Sequence, residues 1–158
     1  MGYMVRRVEL EDWEDVKFLW ETLKTGRHCH KLDGADDDKD LRVYFKISLT
    51  NPSIQFIIAR DSDSQKAVGF GLMSVGTNFA VRDGNPCDVR TLFVRAVYVL
   101  PFVVREATME LSKWAEEFAK STGCVKMFGN CRLNFPTKAA EKLYGWKPSQ
   151  IIMEKEIK

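Results

Sequence analysis

An apolar run that leads directly into an amphipathic helix constrains the fold of this chain more than any other feature. The run Leu92–Pro101 is rich in β-branched residues and closes on a proline, which predicts a buried strand over about 91–99. Apolar residues at helical spacing follow and predict a helix over about 104–121. Such a helix start points unpaired backbone N–H groups at whatever lies beyond the strand, and these groups favour an anion. The sequence therefore predicts a ligand site at this junction.

Composition and charge are those of a globular domain. The chain has 158 residues, of which 45% are hydrophobic and 29% are charged, and no stretch approaches the roughly 20 apolar residues of a membrane span. We expect a single domain over residues 1–158, cytoplasmic because the N-terminus lacks the apolar core of a signal peptide. The net charge of +2 is too small to predict nucleic-acid binding by itself. A homodimer is compatible with these features.

Cysteine and histidine spacing does not predict a metal site. The four cysteines form no CxxC pair, so we expect reduced thiols, with Cys124 as a small core residue. His28, Cys29 and His30 are the one histidine cluster, but adjacent residues rarely direct their side chains to one ion.

The order of predicted elements is β-α-α-β-β-β-α-β-α-β. Strands are predicted over 4–9, 54–60, 67–75, 91–99, 125–130 and 150–157. Helices are predicted from an Asp12 cap to a stop at Gly26, then over 39–49, 104–121 and 136–144. Residues 76–89 contain several turn signals and are expected to form a loop. This order predicts a mixed α/β fold with helices on both faces of one sheet.

Three segments of the chain resemble the GCN5-related N-acetyltransferase (GNAT) superfamily. Val97–Pro101 is similar to the end of the family's fourth strand, and Trp114–Cys124 to the helix and turn that follow it. Glu141–Pro148, closing with Met153–Ile157, is similar to the family's C-terminal ending. All three occur in order at suitable distances, and Val68–Phe70 adds a fourth match. The chain therefore resembles GNAT proteins over nearly its whole length.

The resemblance implies transfer of an acetyl group from acetyl-CoA to an amine of a small molecule or a protein, without a metal. Strands four and five of such folds separate, and the pantetheine arm adds to strand four as a further strand would. The pyrophosphate lies on the start of the third helix. The cofactor-binding residues implied by the resemblance are Val97, Tyr98, Val99, Val104, Arg105, Ala107 and Thr108.

The phosphate loop departs from the family's pattern Arg/Gln-x-x-Gly-x-Gly/Ala. A gapless alignment from the proline puts Val104, Ala107 and Met109 at the three defining positions. Ala107 is small enough for backbone approach, whereas Met109 is no obvious substitute for glycine. Arg105 is one position away from the family's arginine and could still meet a phosphate, while Glu106 adds negative charge. The resemblance is therefore stronger for the fold than for the cofactor site.

The implied catalytic residues are also incomplete. Acetyl transfer needs a base for the amine and an acid for the leaving thiolate. The base is often a glutamate of strand four, where Leu92–Val97 contains no carboxylate. The acid is often a tyrosine of the last helix, where alignment puts Glu141, with Tyr144 one turn later on the same face. Asn134 resembles the family's asparagine near the acetyl group. A packing role for Tyr144 and a turn role for Asn134 remain alternatives.

Three functions follow from these observations. We prefer an active N-acetyltransferase that uses acetyl-CoA. The alternative is a GNAT-fold protein that has lost acetyl-CoA binding and serves as a binding or structural module; divergent proteins of this sort also occur in bacteriophage genomes. A third hypothesis, nucleic-acid binding, rests on the basic residues of the C-terminal third: Lys126, Arg132, Lys138, Lys142 and Lys147.

Overall fold

A computed structural model describes residues 2–24, 38–129 and 137–147 of the chain. The strands are β1 (Tyr3–Arg7), β2 (Ile54–Asp61), β3 (Ala67–Arg82), β4 (Asn85–Val99) and β5 (Lys126–Gly129). The helices are α1 (Trp13–Lys24), α2 (Asp38–Thr50), α3 (Val104–Ser121) and α4 (Thr137–Tyr144). Single 3-10 turns, Leu10–Asp12 and Pro101–Val103, precede α1 and α3. The predicted element order is confirmed through α4, and Gly26, Pro136 and the strand predicted over 150–157 lie outside the described residues.

The strands form one sheet in the order β1-β2-β3-β4-β5. Successive strands from β1 to β4 are antiparallel, whereas β5 runs parallel to β4 after the crossover through α3. A parallel neighbour requires such a crossover because a tight turn can only reverse the chain. The mixed α/β sheet expected from the sequence is therefore confirmed.

Helices cover both faces of this sheet. On the face that we call the α1/α2 face, Val16, Leu19 and Phe45 pack against strand residues, with Phe56 and Phe70 among them. On the opposite α3 face, one side of α3 packs on β2, β3 and β4, and its buried residues are Ala107, Leu111, Ala115 and Ala119. Small residues at helical spacing let α3 lie close to the sheet. None of the helices within the described segments is both long and apolar enough to span a bilayer.

The prediction of a loop over residues 76–89 is wrong. β3 continues to Arg82 and β4 begins at Asn85, with paired residues from Val75↔Leu92 to Arg82↔Asn85. Asp83 and Gly84 form the turn, with φ values of 51° and 76°. Positive φ at both positions is the geometry of the tight hairpin turns that Asp-Gly favours. Asp-Gly by itself predicts a hairpin turn, whereas the glycine, proline and asparagine residues on either side of it predict a loop.

Four residues form what we call the charge cluster: Arg6, Asp12, Asp15 and Arg60. Arg6 donates two hydrogen bonds to the Asp12 carboxylate, of 2.7 and 2.9 Å, and Arg60 donates one of 2.6 Å to it. Burial opposes ionisation of Asp12, but the bonds from Arg6, the Glu9 amide and Arg60 outweigh it and lower its pKa. The carboxylate accepts the Glu9 N–H at 2.8 Å. Asp12 thus ties β1 and β2 to the start of α1, and does not cap the α1 amides as the sequence predicted.

Candidate functional site

β4 pairs with β5 only as far as Val94. Their pairing covers Thr91–Val94 of β4, opposite Lys126–Gly129, and β4 then continues alone to Val99. Over Arg95–Val99, β4 has β3 on one side, and no strand of the described segments pairs with it on the other side. We call the point after Val94 the branch, and Arg95–Val99 the open edge. An open edge presents main-chain N–H and C=O groups to a ligand that can add as a strand.

A β-bulge lies at the branch. Ala96 pairs with Leu72 and Val94 pairs with Met73, so Arg95 is an extra residue in β4 without a β3 partner. Such a bulge bends its strand and redirects the side chain at the bulge, and bulges are frequent beside active sites. The bend coincides with the end of β5 pairing and therefore contributes to the opening between the two strands.

The open edge leads directly to the start of α3. The Leu100 N–H donates to the Val68 carbonyl at 2.9 Å, which holds the end of β4 on the sheet. The 3-10 turn Pro101–Val103 follows, and α3 begins at Val104. Val103 at the N-cap position has no polar group, so it forms no side-chain cap hydrogen bond. Its side chain therefore does not compete with an anion for the first-turn N–H groups or the positive end of the helix dipole.

The three cofactor residues predicted in β4 lie on the open edge. Val97 is 37% exposed and Val99 is half-buried on the α3 face. Tyr98 is buried on the other face, where its ring packs against Trp20 and Phe70 with centroids 5.5 and 5.0 Å away. The Tyr98 ring is thus a core element, and its carbonyl oxygen faces β3, where a Cβ on Gly69 would lie 2.7 Å from it. The main-chain groups that face the open edge are those of Val97 and Val99.

The cofactor residues predicted in α3 are divided between core and surface. Val104 and Arg105 are exposed in the first turn, and Thr108 is half-buried in the second. Ala107 is fully buried between α3 and the sheet. Met109, the least expected residue of the phosphate loop, is 44% exposed. Its side chain is therefore not wedged between α3 and β4.

The predicted catalytic residues belong to or precede α4. Glu141 is exposed in the last turn of α4, where its carbonyl accepts the Gly145 N–H at 3.0 Å. Asn134 and the side chain of Tyr144 lie outside the described residues, so their roles stay predictions. The chain after α4 does reach the branch: a Cβ on Gly129 would lie 3.4 Å from the Trp146 ring. Gly129 is the β5 partner of Val94, so α4 ends beside the last paired residues.

An arginine platform at the branch was missed by sequence reasoning. The guanidinium carbon of Arg95 lies 5.1 Å from the centroid of Phe93, and its Nε donates to Ser74 Oγ at 3.3 Å. The Phe93 ring in turn stacks on Phe128, with centroids 6.3 Å apart and planes 20° apart. We call Ser74, Phe93, Arg95 and Phe128 the platform. A lone cation inside the apolar run is the signal that could have identified it, since a buried central strand would not carry one.

A concave surface lies away from the branch. It is a cleft of about 240 Å³ between the start of α1 and the middle of α2, and Arg42 lies over the Trp13 ring at 5.6 Å within it. None of its lining residues belongs to β4, α3 or β5. The described segments also contain no group of three or more His, Cys, Asp or Glu residues that could hold a metal ion, and His28, Cys29 and His30 lie outside them.

The fold is shared with solved acetyltransferase structures. The sequence matches no protein-family model and no curated protein. The structure is similar to aminoglycoside 6'-N-acetyltransferase AAC(6')-Ih from Acinetobacter baumannii, with 16% identity, 99% of each chain covered and a TM-score of 0.73. AAC(6')-Iy bound to a CoA bisubstrate analogue gives 17% identity over 100% of this chain and 99% of that one, with a TM-score of 0.76. Glucosamine-6-phosphate N-acetyltransferase from Arabidopsis thaliana gives 17% identity over 100% of both chains, with a TM-score of 0.69. At these identities the likeness establishes the fold: the chain has the GNAT fold.

Proposed function

We propose that the chain is an acetyl-CoA-dependent N-acetyltransferase, acting as one domain over residues 1–158. The observation that carries this proposal is the open edge of β4 beside the uncapped start of α3. A pantetheine arm contains amide groups, and an open strand edge offers them N–H and C=O partners. The pyrophosphate at its end is the kind of anion that a helix start binds. The fold is shared with AAC(6')-Iy, which was solved with CoA.

Each part of this site has a task that its position permits. The main chains of Val97 and Val99, which alternate along β4 with the β3-facing main chain of Tyr98, bond to the pantetheine amides. The first-turn N–H groups at Val104 and the guanidinium of Arg105 hold the pyrophosphate, because both present positive charge at one end of α3.

The departures from the family's phosphate loop leave the N–H donors in place. These donors belong to the backbone, so replacing glycine there changes how closely a phosphate approaches and not how many donors it meets. Ala107 lets α3 lie close to the sheet, and the Thr108 hydroxyl is a further donor in the next turn. Met109 and Glu106 are exposed on α3 and do not close the site.

The chemistry at the branch requires an electrophile and proton transfers. When bound, acetyl-CoA supplies a thioester whose acetyl group is open to attack by an amine. We assign the protonation of the leaving thiolate to Tyr144 or Glu141, and contact with the acetyl oxygen to Asn134. No side chain of the open edge is a carboxylate, so the amine either reaches the site already neutral or loses its proton through water.

The experiment is a calorimetric titration with acetyl-CoA, with adenosine 3',5'-bisphosphate as the comparison ligand. Arg105→Glu should weaken acetyl-CoA binding by about tenfold or more, since it replaces a charge-assisted bond with repulsion. Lys113→Glu is the matched control, because it makes the same charge change on an exposed position roughly 12 Å further along α3. A carboxylate in the first turn favours the helix, so Arg105→Glu should not lose stability.

Two results would contradict the proposal. Absence of binding at millimolar acetyl-CoA would favour the alternative, a GNAT-fold binding or structural module. Equal loss of affinity in Arg105→Glu and Lys113→Glu would mean that net charge alone, and no site at the start of α3, attracts the ligand.

A further inference from the structure

We propose that the acceptor amine carries an anionic group, a carboxylate or a phosphate, which Arg95 binds on the α1/α2 face of the branch. This rests on the proposed function, since an amine bound at the platform is an acceptor only in a protein that also uses an acyl donor. A carboxylate and a phosphate both carry two anionic oxygens on one atom, and a guanidinium binds such a pair with two parallel hydrogen bonds.

The position of Arg95 in the chain is the first argument. It is the first residue of β4 after Val94, where pairing with β5 ends. It is also the bulge residue, without a β3 partner. Arg95 therefore stands where the two strands separate, at the inner end of the open edge.

The contacts of Arg95 define the face on which its guanidinium lies. Leu72 belongs to the α1/α2 core and Met73 to the α3 core, so Ser74 points to the α1/α2 side again. Phe93 is the β4 partner of Ser74 and shares that face. Because the guanidinium contacts both Ser74 and the Phe93 ring, it lies on the α1/α2 face.

The guanidinium is held but not neutralised. Its Nε donates to Ser74, which leaves the four N–H groups on the terminal nitrogens for other partners. Within the described part of the chain no carboxylate forms an ion pair with Arg95, although Arg6 and Arg60 both have one. Phe93, braced by its stack on Phe128, supports the group from one side. An oriented, unpaired arginine on an aromatic support is suited to bind an anion.

The same charge selects against some acceptors. An amine with several further cationic groups would bring like charge to Arg95, whereas an amine with an anionic group would gain an ion pair. The GNAT fold is shared with enzymes named for aminoglycosides and with one named for glucosamine 6-phosphate. The platform predicts an acceptor that resembles glucosamine 6-phosphate in one respect: it is an amine that also carries a negatively charged group.

The test measures binding of matched amines by calorimetry without any acyl donor. Glucosamine 6-phosphate is compared with glucosamine, and β-alanine with β-alaninamide, so that each pair differs in one anionic group. The wild-type protein should bind one anionic member about tenfold more tightly than its neutral partner, and Arg95→Gln should abolish that difference. Arg90→Gln is the matched control: Arg90 is exposed on the same strand but is not in the platform, and the preference should persist.

The two pairs distinguish the source of the anion. A preference in the glucosamine pair alone assigns a phosphate, and one in the β-alanine pair alone assigns a carboxylate. Equal binding within both pairs, or a preference that survives Arg95→Gln, overturns the inference. Because no acyl donor is present, these results are independent of acetyl-CoA binding: a protein that binds acetyl-CoA yet shows no anion preference retains the proposed function and loses this inference.

Discussion

The charge cluster and the branch use the same residue type in opposite ways. In the charge cluster, Arg6 and Arg60 both meet the Asp12 carboxylate, which is only 3% exposed, and Arg60 also meets Asp15 at 2.5 Å. Arg95 at the branch and Arg105 at the start of α3 are exposed and form no ion pair within the described segments. Arginines that are fully paired inside the molecule stabilise the fold, whereas those left unpaired beside an open edge are available to a ligand.

Apolar residues show the same contrast. The phenylalanines beneath α1 and α2 are buried, and Phe45 packs edge to face on Phe56 with centroids 5.6 Å apart. Phe102, immediately before α3, is 78% exposed, and Val104 beside it is also exposed. Large apolar groups that cluster at a surface mark binding sites more often than stability. The surface from the branch to the start of α3 therefore has both arginines without an ion pair and exposed apolar side chains.

The largest expected effect on stability is at the charge cluster. Asp12→Asn should lower the free energy of unfolding by about 3–5 kcal/mol, because it leaves Arg6 and Arg60 without their shared buried carboxylate. Urea denaturation measures this change, and Asp15→Asn is the control because its carboxylate is half-exposed and bonds only Arg60 in the cluster, so it should cost less than about 1 kcal/mol. Equal losses in the two variants would mean that the carboxylates contribute alike and that burial of Asp12 adds nothing.

Acid should reproduce this loss in the wild-type protein. The native pKa of Asp12 lies below its ordinary value of 3.8, so its contribution to stability is complete above that value. It is lost as the pH falls from 3.8 through the lower native pKa. Asp12→Asn should remove this part of the acid dependence, which urea denaturation at a series of pH values would detect.

A smaller effect is expected where the sheet supports the open edge. A Cβ on Gly69 of β3 would lie 2.7 Å from the Tyr98 carbonyl oxygen and 3.0 Å from Val99 Cγ2. Gly69→Ala should therefore push β4 away from β3, cost about 1–3 kcal/mol and weaken acetyl-CoA binding. In the control Gly71→Ala, the nearest atom to the new Cβ would be Cγ1 of Ile57 at 3.3 Å and no main-chain atom would lie closer than 3.7 Å, so the loss should be smaller. A Gly69→Ala protein with unchanged stability and affinity would show that the open edge tolerates displacement of β4.

The fold was predictable because its signals are local. The spacing of Leu111, Ala115 and Phe118 predicted α3 over 104–121, and the structure has it over the same residues. The Asp83-Gly84 turn was equally local, but the surrounding turn residues were interpreted as a loop, so the hairpin was missed. Helical spacing and a tight turn are both set within a few residues, which is why one sequence carries enough information for them.

The site was less predictable because its parts come from distant segments. The branch exists because β5 pairs with Thr91–Val94 and no further, and nothing within β4 specifies where a partner 35 residues later will stop pairing. Contact between Arg95 and Ser74 depends on the β3–β4 register and on the bulge, which periodicity cannot give. The charge cluster was missed for the same reason, because it joins Asp12 to Arg60 across α1, α2 and β2.

The smallest expected effect on stability is at the start of α3. Arg105 places a cation at the start of α3, where the helix dipole disfavours it, and it forms no ion pair with any described residue. Arg105→Ala should therefore leave the free energy of unfolding unchanged or raise it by about 0.3–0.5 kcal/mol, while acetyl-CoA binding weakens. Urea denaturation without ligand measures the first quantity and calorimetry the second.

A decrease in the free energy of unfolding of Arg105→Ala would remove the distinction between the charge cluster and the start of α3. A loss of more than about 1 kcal/mol in Arg105→Ala would mean that this arginine stabilises the fold, as Arg60 does in the charge cluster. Unchanged or raised stability with weaker binding would mean that α3 retains an unfavourable cation because a ligand requires it. Arg60→Ala is the matched comparison, since it removes an arginine that bonds two carboxylates and should destabilise the protein strongly.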